Sequence, residues 1–434
     1  MSGQKLRLKL SGEIMRKMKN SGIEWIGDIP SEWKVLRTKS FYSHHKDVVG
    51  DEVDNYERLA LTLGGVIKRP KEDSTGLQPE AFGGYQILRK NELVFKLIDL
   101  ENVSTSRIGY SPYTGIVSPA YIVLKPFDEA ESKFGEYYFL SMWQREIFNH
   151  MGDDGVRSSL NSKDLLNIPY ISCPTEEKKK IVAFLDEKCA EIDTVIEKTK
   201  ATIEEYKKLK QSVITQAVTK GLHPNRPMKD SKNIWFGNIP FDWEIQKIKY
   251  VFTIKKDIAG EEGYTVLSIT QRGITPKDLS KNEGQLAENY SKYQLVNIGD
   301  FAMNHMDLLT GWVDISKFSG VTSPDYRVFM LNDKNKNSDK FYLYLMQMCY
   351  FNRIFYGLGQ GVSGMGRWRL QADKFLNFTI PVPPTVEQKE IADYLDKKCS
   401  EIDELIAKKT SLLSELESYK KSLIYEYVTG KKEV

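Results

Sequence analysis

The side chains best equipped to act on a ligand are arginines, lysines and small polar residues gathered in short, loop-like segments. In the first half of the chain these are Lys68, Arg69 and Lys71, then Arg107, then Arg157, Ser158 and Ser159. In the second half they are Gln271 and Arg272, Lys277, Asn304 and His305, and the run Arg367, Trp368 and Arg369. Cationic side chains pair with phosphate oxygens, and Arg, Asn, Gln and Ser hydrogen-bond base edges, so these segments have the chemistry that nucleic-acid contact requires. The competing role of each is an ordinary solvated surface charge.

One glycine pattern, Gly359-Gln-Gly361-Val-Ser-Gly364, matches GxGxxG. A dinucleotide site needs that pattern between a strand and a helix, with a ribose-binding acid about 20 residues further on. Here residues 351–356 read as helix, and the basic stretch through Arg367 and Arg369 reads as loop. The expectation is therefore an arginine-bearing, glycine-rich loop whose backbone approaches a ligand closely. The first half has a counterpart from Met151 through Gly152 and Gly155 to Arg157, and Arg157 and Arg367 stand 210 positions apart.

Signatures of catalysis are missing. No GxxxxGK[ST], GxSxG or HExxH occurs, nor an Asn-Pro-Pro-aromatic or Asp-Pro-Pro-aromatic tetrapeptide. The histidines at 44, 45, 150, 223 and 305 are scattered, and His44-His45 has no cysteine or carboxylate cluster beside it to make a metal site. The reading is a binding protein with no catalytic, metal or cofactor site of its own.

The elements that must position these residues are written twice. Ser21-Gly-Ile-Glu-Trp25-Ile-Gly27-Asp-Ile29-Pro30-Ser-Glu-Trp33 returns 210 residues later as Ser231-Lys-Asn-Ile-Trp235-Phe-Gly237-Asn-Ile239-Pro240-Phe-Asp-Trp243. Leu185-Asp186-Glu-Lys-Cys189-Ala-Glu191-Ile192-Asp193 returns as Leu395-Asp396-Lys-Lys-Cys399-Ser-Glu401-Ile402-Asp403. A repeat this long is a whole domain with a helix, not a solenoid unit. Recurrence of Trp25, Trp33, Trp235 and Trp243 at one spacing points to structural anchoring rather than base stacking.

The predicted fold class is α+β, with globular parts at 21–168 and 235–378. Each is rich in short β-like runs such as Ile116-Val-Ser-Pro-Ala-Tyr-Ile-Val-Leu124 and Tyr326-Arg-Val-Phe-Met-Leu331. Helical pieces are expected near 136–149 and 339–355. Gly115-Ile-Val-Ser118-Pro119-Ala-Tyr121 resembles Gly320-Val-Thr-Ser323-Pro324-Asp-Tyr326, although most of the two globular sequences differ. A common fold carrying different surfaces is what two modules reading different things would need.

Long helices are predicted at 174–221 and 384–430, opened by Thr175 and Thr385 as N-caps. No proline or glycine interrupts the first between Thr175 and Gly221, so it could reach roughly 70 Å. Apolar residues at steps of three and four, including Ile181, Leu185, Ile192 and Ile196, argue for coiled-coil packing. The two helices are expected to pair antiparallel as a spacer, against the alternative that each packs only on its own domain. Residues 222–234 are the expected linker, and residues 1–20, basic and without an apolar segment, a flexible leader.

Bulk composition is neutral on the question. With 434 residues, 41% hydrophobic and 28% charged, the chain is an ordinary globular protein of two to four domains. Its net charge of +3 is low for a nucleic-acid binder, so local patches or a partner would have to neutralise phosphates. Cys173, Cys189, Cys349 and Cys399 show no metal spacing and read as small buried apolar residues of a reducing compartment. No run of about 18 apolar residues suggests a membrane span.

The repeated opening through Trp25, Gly27, Pro30 and Trp33 resembles the specificity subunit of type I restriction-modification systems. So does Pro-Pro-Thr385-Val-Glu387-Gln388-Lys-Glu-Ile391-Ala leading into Leu395-Asp396, Ile402-Asp403 and a long helix. The first copy carries Lys178 where the second has Gln388. The resemblance runs from Ser21 to Gly430. It implies two target recognition domains, each reading one half of a split sequence in double-stranded DNA. It implies that the long helices act as a ruler and dock two methyltransferase subunits, which would bind S-adenosylmethionine. Restriction subunits using ATP and magnesium would join for cleavage, and this chain would be catalytically silent and cytoplasmic. Half-site centres would then lie about one helical turn, roughly 34 Å, apart. The competing reading is an assembly scaffold or decoy that binds methyltransferase without reading DNA.

Overall fold

Two units make up the chain, one of Met1–Thr199 with Ser411–Val434 and the other of Lys200–Thr410. The computed structural model describes residues 16–73, 81–100, 107–151, 159–280, 289–361 and 368–434. In the first unit a four-stranded antiparallel sheet runs in the order Tyr42–His44, Ile122–Pro126, Leu93–Phe95, Ile108–Tyr110. The second unit repeats it as Phe252–Lys255, Arg327–Leu331, Phe301–Met303, Val313–Ile315. The strands Leu93–Phe95 and Phe301–Met303 are buried at every position, which is why they read as unbroken apolar runs. Helices Ala130–Gln144 and Asp339–Phe351 supply Phe134, Tyr138 and Phe139, and Phe341, Leu345 and Met348, to the two main cores. The first of these helices begins ahead of the expected residue 136.

The β-run expected from Ile116 to Leu124 is two strands, Gly115–Val117 and Ile122–Pro126, separated by a turn at Ser118–Tyr121. A buried glutamine holds that turn. The Gln86 side-chain amide donates to the carbonyls of Ser118 at 2.9 Å and Tyr121 at 2.6 Å. Gln294 does the same to Ser323 at 2.8 Å and Tyr326 at 2.6 Å. The glycine that opens each landmark has an equally specific cause. A Cβ on Gly115 would run into the Glu57 carbonyl, and one on Gly320 into the Thr265 carbonyl. Those carbonyls are committed to the next residues, accepting from the Ile116 and Val321 N–H groups at 2.8 Å.

Beside each sheet lies a hairpin closed by a two-residue turn. The first pairs Leu59–Thr62 with Gly65–Lys68 around Leu63-Gly64, and the second pairs Leu267–Thr270 with Gly273–Pro276 around Gln271-Arg272. Gly65 and Gly273 leave these turns at φ of 97° and 103°, a backbone region glycine enters without strain.

The long helices span Thr175–Lys220 and Thr385–Val428. Their caps differ from the expectation. Pro174 and Pro384 supply the first helical carbonyls, accepting from Lys178 and Gln388 N–H at 3.0 Å, so the prolines hold the cap positions. The Thr385 hydroxyl instead donates to the Lys336 carbonyl at 2.9 Å. Gly221 and Gly430, at φ of 73° and 69°, end the helices in the left-handed conformation that lets the last carbonyls be satisfied.

Each unit contains an antiparallel pair of helix segments. In the first, Ile181, Leu185, Cys189, Ile192 and Ile196 share a core with Leu423, Ile424 and Val428. In the second, Ile391, Leu395 and Cys399 share one with Ile214, Ala217 and Val218. Register shows in the ion pairs: Lys420 binds both oxygens of Asp193 at 2.6 and 2.7 Å, and Lys210 both oxygens of Asp403 at 2.7 and 2.6 Å; in the first unit the Phe184–Tyr427 ring contact at 4.4 Å adds the direction. Lys210 and Lys420 are repeat mates, as are Asp193 and Asp403. The preceding aspartates of the motif weld helix to domain. Asp186 accepts from the Tyr137 hydroxyl at 2.7 Å, and Asp396 from Tyr344 at 2.8 Å. All four cysteines are free and buried.

The expected leader and linker both contain fold. Met18–Asn20 pairs with Asp28–Pro30, and Met228–Asp230 with Asn238–Pro240. Arg16 binds Glu32 and Glu177, and its mate Arg226 binds Asp242 and Glu387. Among the described residues the repeat therefore reaches back to Arg16 and Arg226, with Met18-Lys19 against Met228-Lys229 as its sequence signal; residues 1–15 of the expected leader lie outside the described residues. Trp33 and Trp243 are fully buried, donating to Glu177 at 2.9 Å and Glu387 at 2.8 Å in the first turn of each long helix.

Candidate nucleic-acid interface

Two of the sequence-selected residues are internal. Arg107 is 1% exposed, and its guanidinium donates to the carbonyls of Ile98, at 3.0 Å, and Asp99. It holds the 96–99 backbone in place and cannot reach a phosphate from there, which corrects its assignment as a contact residue. His305 is 5% exposed and also belongs inside the domain, at the floor of a cleft. Asn304 is a turn residue: its Oδ1 accepts from Met306 and Asp307 N–H at 3.2 and 3.3 Å.

In the first unit the basic residues sit on and after the hairpin. Lys68 binds Glu57 at 2.6 Å, Arg69 binds Asp73 at 2.8 Å, and Lys71 donates to the Val53 carbonyl at 2.7 Å. Lys68 also lies 5.2 Å from the centre of the exposed Tyr113 ring. Ser159 is exposed and bridges to Ile98. Arg157 and Ser158, like Arg367, lie outside the described residues. In the second unit Gln271 and Arg272 form the exposed hairpin tip, with Lys277 following the second strand.

The GxG of Gly359 and Gly361 has a packing cause. Trp368 crosses both glycines, stacks on Tyr356 with ring centres 5.3 Å apart, and donates to the Tyr356 carbonyl at 2.6 Å. A Cβ at Gly359 would stand 2.5 Å from the indole. Gln360–Gly361 then pairs with Trp368–Arg369 as a short hairpin, not as a strand leading into a helix. Among the described residues no three His, Cys, Asp or Glu side chains are grouped to hold a metal, and no helix is long and apolar enough to cross a membrane.

A cleft of about 500 Å³ opens beside this hairpin, and its charged lining is wholly basic: Lys255, Lys256, Arg327 and Arg369, with His305 among them. Lys255 is committed to Asp300 at 2.7 Å. Arg327, 5% exposed, donates through one guanidinium nitrogen to the Leu370 carbonyl at 2.9 Å and lies 4.8 Å over the Phe375 ring. Its other terminal nitrogen, Arg369 Nε and His305 Nδ1 have no hydrogen-bond partner among the described residues. Burial pushes the Arg327 pKa down to about 10, and burial followed by the charges of Arg327 and Arg369 pushes His305 down to about 3. Arg327 went unselected in the sequence because it sits inside an apolar strand pattern. Its signal was the alignment of Tyr326-Arg-Val with Tyr121-Ile-Val in the first copy.

The buried histidine has a measurable consequence. The unfolded chain takes up a proton near 6.5 that the folded cleft refuses until about 3. Stability is therefore complete above that window and falls as pH drops through it, by about 1.4 kcal/mol per pH unit. Urea unfolding in mildly acidic buffers should show this slope in the wild type and a shallower one in His305→Leu. Equal slopes would mean that His305 is charged in the folded state.

Two α+β units, each with its own antiparallel pair of helix segments, define a class of fold, and comparison with known proteins shows what the chain is similar to. Residues 240–415 match the family described as type I restriction modification DNA specificity domain. The chain is 25% identical over 386 residues to the type I restriction enzyme MjaVIII specificity subunit of Methanocaldococcus jannaschii, covering 85% of this chain and 86% of that protein. Its fold is similar to that of a chain solved in a study of complex assembly and conformational transition of the type I R-M system, with a TM-score of 0.68, 15% identity, and coverage of 93% and 99% of the two chains. Residues 240–415 thus match a type I DNA specificity domain, and over most of its length the chain is similar to type I restriction-modification specificity subunits.

Proposed function

We propose that this chain is the non-catalytic, DNA-reading subunit of a type I restriction-modification complex, with each unit reading one half of a split target. One observation carries the reading: the frame of the two units is the same while the residues presented on it differ. The glutamine clamps, the landmark glycines and the sheet order recur, yet one hairpin tip is Leu63-Gly64 and the other Gln271-Arg272. Conserved positioning with divergent contact residues is what reading two unlike half-sites needs.

The long helices supply the surface for methyltransferase docking in this reading. Val195 and its repeat mate Leu405 are exposed, as are Leu209 and its mate Tyr419. Apolar residues repeated at the same helix positions suit two copies of one partner. S-adenosylmethionine would be bound by those methyltransferase subunits, and ATP with magnesium by restriction subunits where these are present. The complex would act in the cytoplasm.

Base-modification sequencing of host DNA with and without the gene tests the reading. Methyladenine at one split motif should disappear with the gene, and deleting one heptad from each long helix should shorten the unread gap. A motif that persists without the gene would refute the assignment. Loss of selective DNA binding with retained methyltransferase binding would favour the scaffold alternative.

A further inference from the structure

Three residues of the second unit depart together from the frame it shares with the first. The Leu370 N–H donates to the His305 carbonyl at 3.0 Å, as the Leu160 N–H donates to the Leu97 carbonyl at 2.9 Å. His305 thus occupies the position of Leu97. Arg327 faces Met303 across the sheet as Ile122 faces Phe95, so Arg327 occupies the position of Ile122. Arg369 precedes Leu370 as Ser159 precedes Leu160. Leu97 and Ile122 are both buried. The frame therefore folds with two aliphatic side chains and a serine at these sites, and does not require cations there.

Putting them there is costly. Removing a guanidinium from water carries a penalty that an apolar residue avoids, and the penalty is offset only when the charge gains a partner. Among the described residues no carboxylate lines this cleft, and three nitrogens of the trio have no hydrogen-bond partner. Arg327 and His305 are both more than nine-tenths buried, and both line the cavity. Arg369 brings a second guanidinium beside them, and Lys256 adds charge at the wall. Two guanidiniums beside an imidazole whose Nδ1 has no partner among the described residues form an anion receptor. Arginine's planar fork matches tetrahedral oxyanions through paired N–H···O bonds.

We propose that the cleft formed by His305, Arg327 and Arg369 binds a phosphate group, supplied in the assembled complex by a phosphodiester of the DNA backbone at the second half-site. The inference rests on the DNA-reading function proposed above and adds an asymmetry to it. The first unit, with Leu97, Ile122 and Ser159 at the same positions, holds no phosphate there. The contact sets the register of the second unit on the duplex without itself choosing a base.

The test uses the full chain assembled with its methyltransferase subunits, as wild type, as Arg369→Ser, and as the triple variant His305→Leu, Arg327→Ile, Arg369→Ser. The triple variant takes its residues from the first unit, where they fold. Affinity is measured over a salt series for a duplex carrying the methylated motif and for an unrelated duplex. Both variants should weaken binding to the two duplexes by the same factor, and the slope of log K against log salt should fall by about 1. An unchanged slope with binding intact overturns the proposal. A loss confined to one base pair of the motif overturns it in favour of base readout. A melting temperature raised by inorganic phosphate in the wild type but not in the triple variant, with the DNA slope unchanged, assigns the cleft to a free anion and overturns the DNA contact. A wild-type complex that binds neither duplex fails earlier, at the DNA-reading function itself.

Discussion

Lys178→Met should destabilise the first unit by about 3–5 kcal/mol, the range seen when one partner of a buried ion pair is removed. Lys178 and Glu131 are paired with side chains only 4% and 6% exposed. The carboxylate also accepts from the Tyr170 hydroxyl at 2.8 Å, while the Tyr42 hydroxyl donates to the Glu131 backbone carbonyl at 2.7 Å. Burial holds both phenols well above their usual pKa, so they stay protonated as donors. The room for Tyr42 comes from Gly135, where a Cβ would strike the phenol oxygen. Losing the ammonium would leave Glu131 charged in an apolar interior, with only a phenol to replace it.

The second unit shows how the same site works without charge. Phe252 stands for Tyr42, Ile380 for Tyr170 and Gln388 for Lys178. The Gln388 amide accepts from Ser338 N–H at 2.8 Å and donates to the Pro383 carbonyl at 2.9 Å. Ser338 stands where Glu131 does, since Tyr344 and Lys340 reach Asp396 as Tyr137 and Lys133 reach Asp186. Combining Lys178→Gln with Glu131→Ser should therefore cost much less than Lys178→Met alone. Urea midpoints of the full chain followed by fluorescence separate the two, and equal losses would show that packing, not the stranded carboxylate, sets the cost.

Trp243→Ala should cost the second unit a similar amount, about 3–5 kcal/mol, from the cavity left by a fully buried indole. The substitution also releases Glu387, which accepts from the indole at 2.8 Å and is clamped by Arg226. Arg226 in turn binds Asp242 at 2.6 and 2.8 Å, so the opening segment of the repeat is tied to the start of the long helix through one carboxylate. Trp243→Phe keeps much of the apolar area but loses the N–H and part of the ring, so it should cost less than Trp243→Ala, roughly 1–3 kcal/mol. If Trp243→Phe instead left stability untouched and abolished DNA binding, the tryptophan would be a stacking surface and not an anchor. Trp33 makes the same contact with Glu177 at 2.9 Å, so it should respond alike.

What the sequence alone determined is what depends on local pattern and on counting. The constant offset exposes the duplication whatever the fold, because similar segments recurring at one spacing mark a repeated unit. Uninterrupted heptad-like spacing makes long helices, since only packing of one stripe stabilises them. Motif aspartates separated by seven residues lie on one helix face, and Asp186 and Asp193 use it for a domain tyrosine and a partner-helix lysine.

Only the tertiary structure decided which charges face solvent. Arg107 and Arg272 look equivalent in sequence, yet one holds loop carbonyls inside the domain and the other sits at an exposed hairpin tip. A loop arginine is buried when backbone carbonyls converge on it, and that convergence is set by segments distant in the chain. Arg327 makes the same point in reverse. A strand pattern marks it as framework, but the sheet partners that place it opposite Met303, and beside His305 and Arg369, gather three nitrogen bases into one cleft. Local periodicity tells a side chain which face it shares; long-range packing tells it what it meets there.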